Sequence, residues 1–399
     1  MRIRMASLLA AVLVAAAPAV LAGCGSDGDD SASGPIRVGL TVPLTGNYQA
    51  LGTGDQQGAQ IAVDQINADG GIDGRKIELV VKDDKTQPDQ SVLAFNAHKS
   101  EGAVAVIGSS FSNSALATIP LAERNSMPYL SLAAADQQVD PIRKFAFQIP
   151  ARSSTYAEQT LKYLQATNVT KIALAHDTKS SYAVAGYEAV KEKAQDYGVT
   201  VVVDRTFDTG TQDFSSVYAP VRASDAQAVF LWATGPPAVI ATKQFAASGL
   251  PIPLILTGAQ ATPLFTKPAG AAAEKVILSS SIGAIAPKLP PGDLKTSVDG
   301  LAVDYQKKYG TPPPQFALDG YCGVQVLAEA IRKAGSTDGK KVQAALEELS
   351  LLTPNGRYEY GKDDHSGLST DNIAIAQITG GQFLPTPWMT QQLTTSLPK

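Results

Sequence analysis

Three histidines and two cysteines are all that the 399 residues hold, and neither type occurs in a close pair. Zinc sites draw on closely spaced Cys and His ligands, so no metal is expected. His98, His176 and His365 lie far apart, and none stands beside an obvious nucleophile. There is no Gly-x-Ser-x-Gly elbow and no Gly-x-x-x-x-Gly-Lys-Ser/Thr phosphate loop. Gly52-Thr53-Gly54-Asp55-Gln56-Gln57-Gly58 is one residue off the dinucleotide fingerprint. It also begins eight residues past a strand end instead of in the tight strand-to-helix turn. A triad could still assemble in space, but these absences weigh against an enzyme, and no cofactor is expected.

An excess of basic residues is also lacking. The formal charge is −4, with 18% charged residues, which argues against nucleic acid or an anionic lipid surface as partner. A hydrophobic content of 44% is that of an ordinary globular protein. A chain of this length is too long for one core, so two domains are expected.

The N-terminus is a targeting segment. Arg2 and Arg4 precede Ala6 to Val20, which is apolar apart from Ser7 and Pro18. Leu21-Ala22-Gly23-Cys24 resembles the bacterial lipobox. That resemblance implies a leader over 1–23, cleavage before Cys24 and a lipid on its thiol; a plain secretory leader with an incidental cysteine is the alternative. Losing the leader removes two arginines and no acid, so −4 becomes −6. Residues 24–35, rich in Gly, Ser and Asp, read as a flexible tether. Only Cys322 then remains, so no disulfide is expected, and its helical pattern suits a small buried thiol.

What the chain has is alternation. Ile36 to Leu44 is an apolar run. Ala59, Ala62, Val63 and Ile66 then give a helical face, Gly70-Gly71 ends that helix, and Ile77 to Val81 ends in Asp83-Asp84. Strand, helix and strand in this length make a right-handed βαβ unit. Further strands are expected at 104–107 and 129–132, with Phe145 to Ile149 read as a crossing between lobes. The alternation restarts with strands at 171–175, 200–203, 228–232, 254–256 and 276–278. Helices over 294–309, 316–334 and 339–349 follow, then a turn at Asn355-Gly356 and a hairpin from Ile373. The fold class is therefore α/β, doubly wound in two successive blocks with parallel-rich sheets.

In open parallel sheets ligands lie beyond the carboxyl ends of the strands. In the first block those ends carry Thr45 to Tyr48, Gly108 to Ser114 (with Phe111 and Ser112) and Ala133-Ala134-Ala135-Asp136. In the second they carry Ser181-Tyr182, Thr234-Gly235 and Ala259-Gln260. Hydroxyls and open N–H groups at a helix start suit a carboxylate or another acceptor, although Ser112 could equally be a helix N-cap. Two such rings facing each other make a cleft.

Ile36 to Gly46, Gly58 to Lys76, Val106 to Ser112 with Ala117, Asp213-Phe214-Ser215, Gly249 to Leu256 and Tyr321 to Gly339 together resemble one family. It is the extracytoplasmic solute-binding proteins of branched-chain amino acid type ABC transporters, and the resemblance covers roughly residues 36 to 385. It implies a type I periplasmic binding protein, two Rossmann-like lobes joined by three hinge crossings, that hands its solute to a permease driven by ATPase subunits. The lobes would take 36–151 with 283–356, and 152–282 with 357–390. A monomer, lipid-anchored on the extracytoplasmic face of the membrane, is expected; a sensing receptor of the same fold is the alternative.

Residue by residue, Ser112 falls on the family's carboxylate-binding serine. Ala133 to Ala135 fall on the next ligand loop, with Ala135 where relatives carry a threonine. Tyr182 falls on the cleft tyrosine, with Ala183 in place of glycine, and Phe316 lies near the hinge-side aromatic. Tyr48, Phe111, Asp136, Thr234 and Gln260 complete the candidate site. The second-lobe acid that holds an ammonium in amino-acid binders has no equivalent; Ala259 and Gln260 stand nearest. A buried ammonium without a counter-charge costs several kcal/mol. The expected solute is therefore a small carboxylate, amide or aromatic acid, unless Asp136 or Asp177 supplies the charge.

Overall fold

The computed structural model describes residues 34–395, so the leader, Cys24 and the tether up to Ser33 lie outside the described residues. The first sheet grows from the alternation that opens the chain. Its elements are β1 (Ile36–Val42), α1 (Gln49–Ala68), β2 (Ile77–Asp83), α2 (Pro88–Ser100), β3 (Ala105–Gly108), α3 (Ser112–Asn125), β4 (Tyr129–Ser131) and β5 (Ala146–Gln148). The strand order is β2-β1-β3-β4-β5, with every pair parallel. β3 and β4 are buried throughout, as strands covered by helices on both faces must be. Phe145 to Ile149 is thus not merely a crossing. Its centre pairs with Tyr129–Ser131 as the edge strand β5, and the chain leaves the sheet only at Ile149.

The second lobe runs α4 (Ser153–Ala166), β6 (Lys171–Asp177), α5 (Ser181–Lys193), β7 (Thr200–Phe207), α6 (Ser215–Arg222), β8 (Ala228–Trp232), α7 (Pro236–Ser248), β9 (Leu254–Thr257), α8 (Pro263–Ala269) and β10 (Ile277–Ser281). The chain then supplies α9 (Asp293–Tyr309), α10 (Gln315–Ala334), α11 (Gly339–Leu346) and a hairpin of β11 (Ser350–Thr353) and β12 (Gly356–Glu359). It ends the described region with β13 (Ile373–Thr379), β14 (Gln382–Pro385) and α12 (Pro387–Thr395). The second sheet has the order β14-β13-β10-β9-β8-β6-β7, with β13 antiparallel to both neighbours. β11 and α12 were not anticipated in the sequence reading. Among the described residues no helix is long and apolar enough to cross a membrane.

α10 returns to the first lobe and lies along α1. The two backbones touch: a Cβ on Gly58 would collide with the Ala317 carbonyl, and one on Gly320 with the Asp55 carbonyl. Of the glycines that imitate a dinucleotide fingerprint, Gly54 and Gly58 therefore serve the packing of α1 on α10, while Gly52 lies against the Pro43 backbone. The third passage between lobes comes later than Arg357. Gln148 N–H donates to the His365 carbonyl at 2.8 Å, and His365 stacks on Phe147 with ring centroids 4.0 Å apart. Residues 358–365 thus hold to β5, and the return to the second sheet follows them.

Candidate functional site

The strand ends of both sheets face one cleft. From the first lobe it is lined by Tyr48 and Leu51 after β1, Ser110 to Ser112 after β3, Leu132 to Ala134 after β4, and Pro150 after β5. α10 adds Gln315, Phe316 and Asp319, and α4 adds Tyr156. The second lobe supplies Ser180, Tyr182, Thr234, Gly258 and Ala259. The space between the walls is about 540 Å³ with the solvent at its mouth included. That suits a small solute.

The α3 end of the cleft is built to receive an acceptor. The N-cap position belongs to Phe111, which makes no side-chain cap, so the opening N–H groups of α3 are left for another partner. Ser112 is buried at the first helical position, and its Oγ accepts from the Ala135 N–H at 3.3 Å; it is not an N-cap. The hydroxyl proton remains available to a solute oxygen. Ala133 N–H donates to Ser131 Oγ at 3.1 Å. Of the three alanines, Ala134 alone keeps an N–H without a hydrogen bond among the described residues.

Aromatic rings form the walls. Tyr48 and Phe111 meet at 4.9 Å between centroids, and Tyr182 lies 5.3 Å from Trp232. Burial, with the nearby Asp177 charge, pushes the Tyr48 hydroxyl up to about 12. Burial also holds Tyr156 and Tyr182 well above the usual phenol range, and the Asp319 charge adds to both. These hydroxyls are neutral donors at physiological pH. The lobes also touch at the rim. Asn113 donates to the Lys179 carbonyl and accepts from the Ser181 N–H, each at 3.0 Å.

Eight of the sequence-predicted residues meet in the cleft: Tyr48, Phe111, Ser112, Ala133, Ala134, Tyr182, Thr234 and Phe316. Three do not line it. Gln260 donates to the Ala233 carbonyl at 2.9 Å and accepts from the Thr257 N–H at 3.3 Å, so its amide ties the ends of β8 and β9 together. Asp136 accepts from the backbone N–H of Ser154 at 3.1 Å and from its hydroxyl, which fixes the entry to α4. Ala135 is fully buried behind Ser112. Asp177, the other acid considered for an ammonium, accepts from Lys179 N–H at 2.9 Å and Thr209 Oγ1 at 2.6 Å. It does not line the cleft either.

Sequence reasoning missed Leu51, Tyr156, Ser180 and Gln315 of the lining, and above all its one acid, Asp319. It is 2% exposed, and burial pushes its carboxyl up to about 7 against the hydrogen bonds from Asn355 and Gln315. Behind it, Asp55 is held well above the usual carboxylate range, first by burial and then by the Asp319 charge. Asp55 bonds Ser110 Oγ. A lone acid in the apolar stretch from Phe316 to Ala328 was the available signal, since a buried carboxylate calls for a partner.

Comparison with known proteins agrees with this architecture. The family described as periplasmic binding protein matches residues 35–382. The leucine-, isoleucine-, valine-, threonine- and alanine-binding protein of Pseudomonas aeruginosa is 26% identical over 346 residues, 86% of this chain and 90% of that protein. The Leu/Ile/Val-binding protein BraC3 of Rhizobium johnstonii is 29% identical over 354 residues, covering 88% and 93%. Among solved structures, a type 1 periplasmic binding protein from Bordetella pertussis has a TM-score of 0.80 at 26% identity, covering 88% of this chain and all of that one. The substrate-binding protein LivJ of Streptococcus pneumoniae, solved with isoleucine, has a TM-score of 0.78 at 24% identity, covering 88% and 97%.

Proposed function

The chain belongs to the periplasmic binding protein family, and from that membership we propose that it is the solute-binding component of an ABC importer. It captures a small polar solute between its lobes and delivers it to a permease with ATPase subunits. A lipid on Cys24 holds it at the extracytoplasmic face of the membrane. The observation that carries the reading is the cleft: strand ends from both sheets converge on it, and Ser112 with the uncapped start of α3 offers donors to a solute oxygen. Closure of the lobes around the solute follows from contacts to both, because those contacts exist together only in the closed form.

A thermal-shift screen over amino acids, their deaminated acids, amides and small aromatic acids tests the reading. Solute at about 100 times Kd stabilises by about 2.7 kcal/mol, a shift of a few degrees for a chain of this size. Ser112→Ala should weaken the binding of any hit by roughly 1–3 kcal/mol, since it leaves a buried acceptor unpaired. A Ser112→Ala variant that binds as tightly as the parent would remove Ser112 from the site.

A further inference from the structure

Asp319 lines the cleft from α10. It is the single carboxylate among the cleft-lining residues, and no lysine, arginine or histidine lines the cleft with it. Among the described residues it joins no ion pair. Its Oδ1 accepts from Asn355 Nδ2 at 2.7 Å and from Gln315 Nε2 at 3.2 Å. Its Oδ2 has only a long contact of 3.4 Å to the same Gln315 nitrogen. An ionised carboxylate accepts about four hydrogen bonds, so capacity remains on the cleft side.

We propose that Asp319 seats the cationic end of the solute, so that the cleft takes a small zwitterion. The carboxylate of that zwitterion meets Ser112 and the start of α3, and its ammonium meets Asp319. The assignment rests on the cleft being the solute site. The remaining lining is what such a solute needs. Tyr156, Tyr182 and Phe316 line the same space, and aromatic rings attract a cation. A solute bearing only a carboxylate would leave Asp319 without a partner in an enclosure whose lining has no base. An ammonium on the same solute pairs the acid instead. The second lobe's absent acid therefore does not exclude an amine, because the first lobe presents one from α10.

Asp319 is also held in place by the segments that join the lobes. Ser281, at the end of β10, donates its N–H to Gln315 Oε1 at 3.0 Å and its hydroxyl to Asn355 Oδ1 at 2.7 Å. Asn355 in turn contacts Tyr358, whose hydroxyl donates to the Ile149 carbonyl. Residues from the first two passages between the sheets, Ile149 and Ser281, together with Tyr358 of the β11–β12 hairpin, thus fix the two amides that orient the carboxylate, which is the support a binding acid requires.

The pairing has a pH signature. The groups facing Asp319 are Asp55 from α1, Tyr156 from α4, Tyr182 from α5, Cys322 on its own helix and Tyr358 from β12. None is a cation. With Asp319 near 7, an ammonium binds more tightly as pH rises through that value.

Calorimetric titration of the mature protein tests the proposal with matched pairs: alanine against propionate, valine against 3-methylbutanoate, and each amino acid against its amide. The expected result is that one or more amines bind at least about 100-fold more tightly than the deaminated partner. Asp319→Asn should lose at least about 100-fold of that affinity, while the affinity of the deaminated acid stays level or improves. In the wild-type protein, amine affinity should fall about 100-fold between about pH 8 and about pH 5; this readout does not depend on the variant folding. The proposal is overturned if no amine binds at about 1 mM, or if amine binding is flat across that pH range. Binding by carboxylates or amides alone would sink the proposal and leave the solute-binding reading standing. Binding by nothing would sink both.

Discussion

Ser112 and Asp319 are a hydroxyl and the single carboxylate that the first lobe presents to the cleft. Ser112 was legible because it follows a short apolar strand and opens a helix, a local pattern. Asp319 was not, because its helix reads as plain core until α10 is laid along α1. Gln260 failed for the opposite reason. Its neighbour Thr257 captures it in a three-residue turn, a pairing too short-ranged to show as periodicity. Asp319 also carries a stability prediction. Its folded-state pKa lies above the unfolded value, so the folded state binds more protons between about pH 4 and 7. Stability contributed by the protonated acid is present below about pH 4 and is lost as pH rises to 7. In the absence of solute, Asp319→Asn should therefore be the more stable protein near about pH 8, by about 1–4 kcal/mol, with a shallower pH dependence. Urea unfolding at two pH values checks this, and a variant less stable than the parent at the higher pH contradicts it.

At the scale of elements, the crossing of α1 and α10 decides where the cleft's hinge side lies. The crossing depends on glycines at the contact, so the sequence displayed its cause without its meaning. Gly58→Ala should push α10 away from α1, costing roughly 1–3 kcal/mol of stability as an overpacked contact does. It should weaken solute binding at the same time, because Phe316 and Asp319 move with the helix. Gly300 in α9 has nothing within 4 Å of a built Cβ, so Gly300→Ala should gain up to about 1 kcal/mol from helix propensity and leave binding unchanged. Unfolding midpoints and affinities of the two variants separate packing from a general glycine effect. The strands in the sheet interiors were readable as apolar runs. β5 was misread as a crossing because composition does not distinguish an edge strand from a connection. Its pairing with β4 does.

At the scale of the whole molecule, two sheets and three passages between them leave a cleft lined mainly by the first lobe and faced by Tyr156, Ser180, Tyr182, Thr234, Gly258 and Ala259 of the second. The division into two α/β blocks was legible from the restart of alternation near Ser153. The third passage was not, since it takes long-range contacts, the pairing of Gln148 with His365 and the bonds of Tyr358 and Tyr360 to the Ile149 and Gln148 carbonyls, to show that residues 358–365 stay with the first sheet. The central claim is that a small solute bound in the interlobe cleft draws the lobes together. Small-angle scattering of the mature protein, with and without a saturating solute from the calorimetric panel, tests it most directly. A smaller radius of gyration with solute is the predicted result; an unchanged radius at saturation would contradict the account.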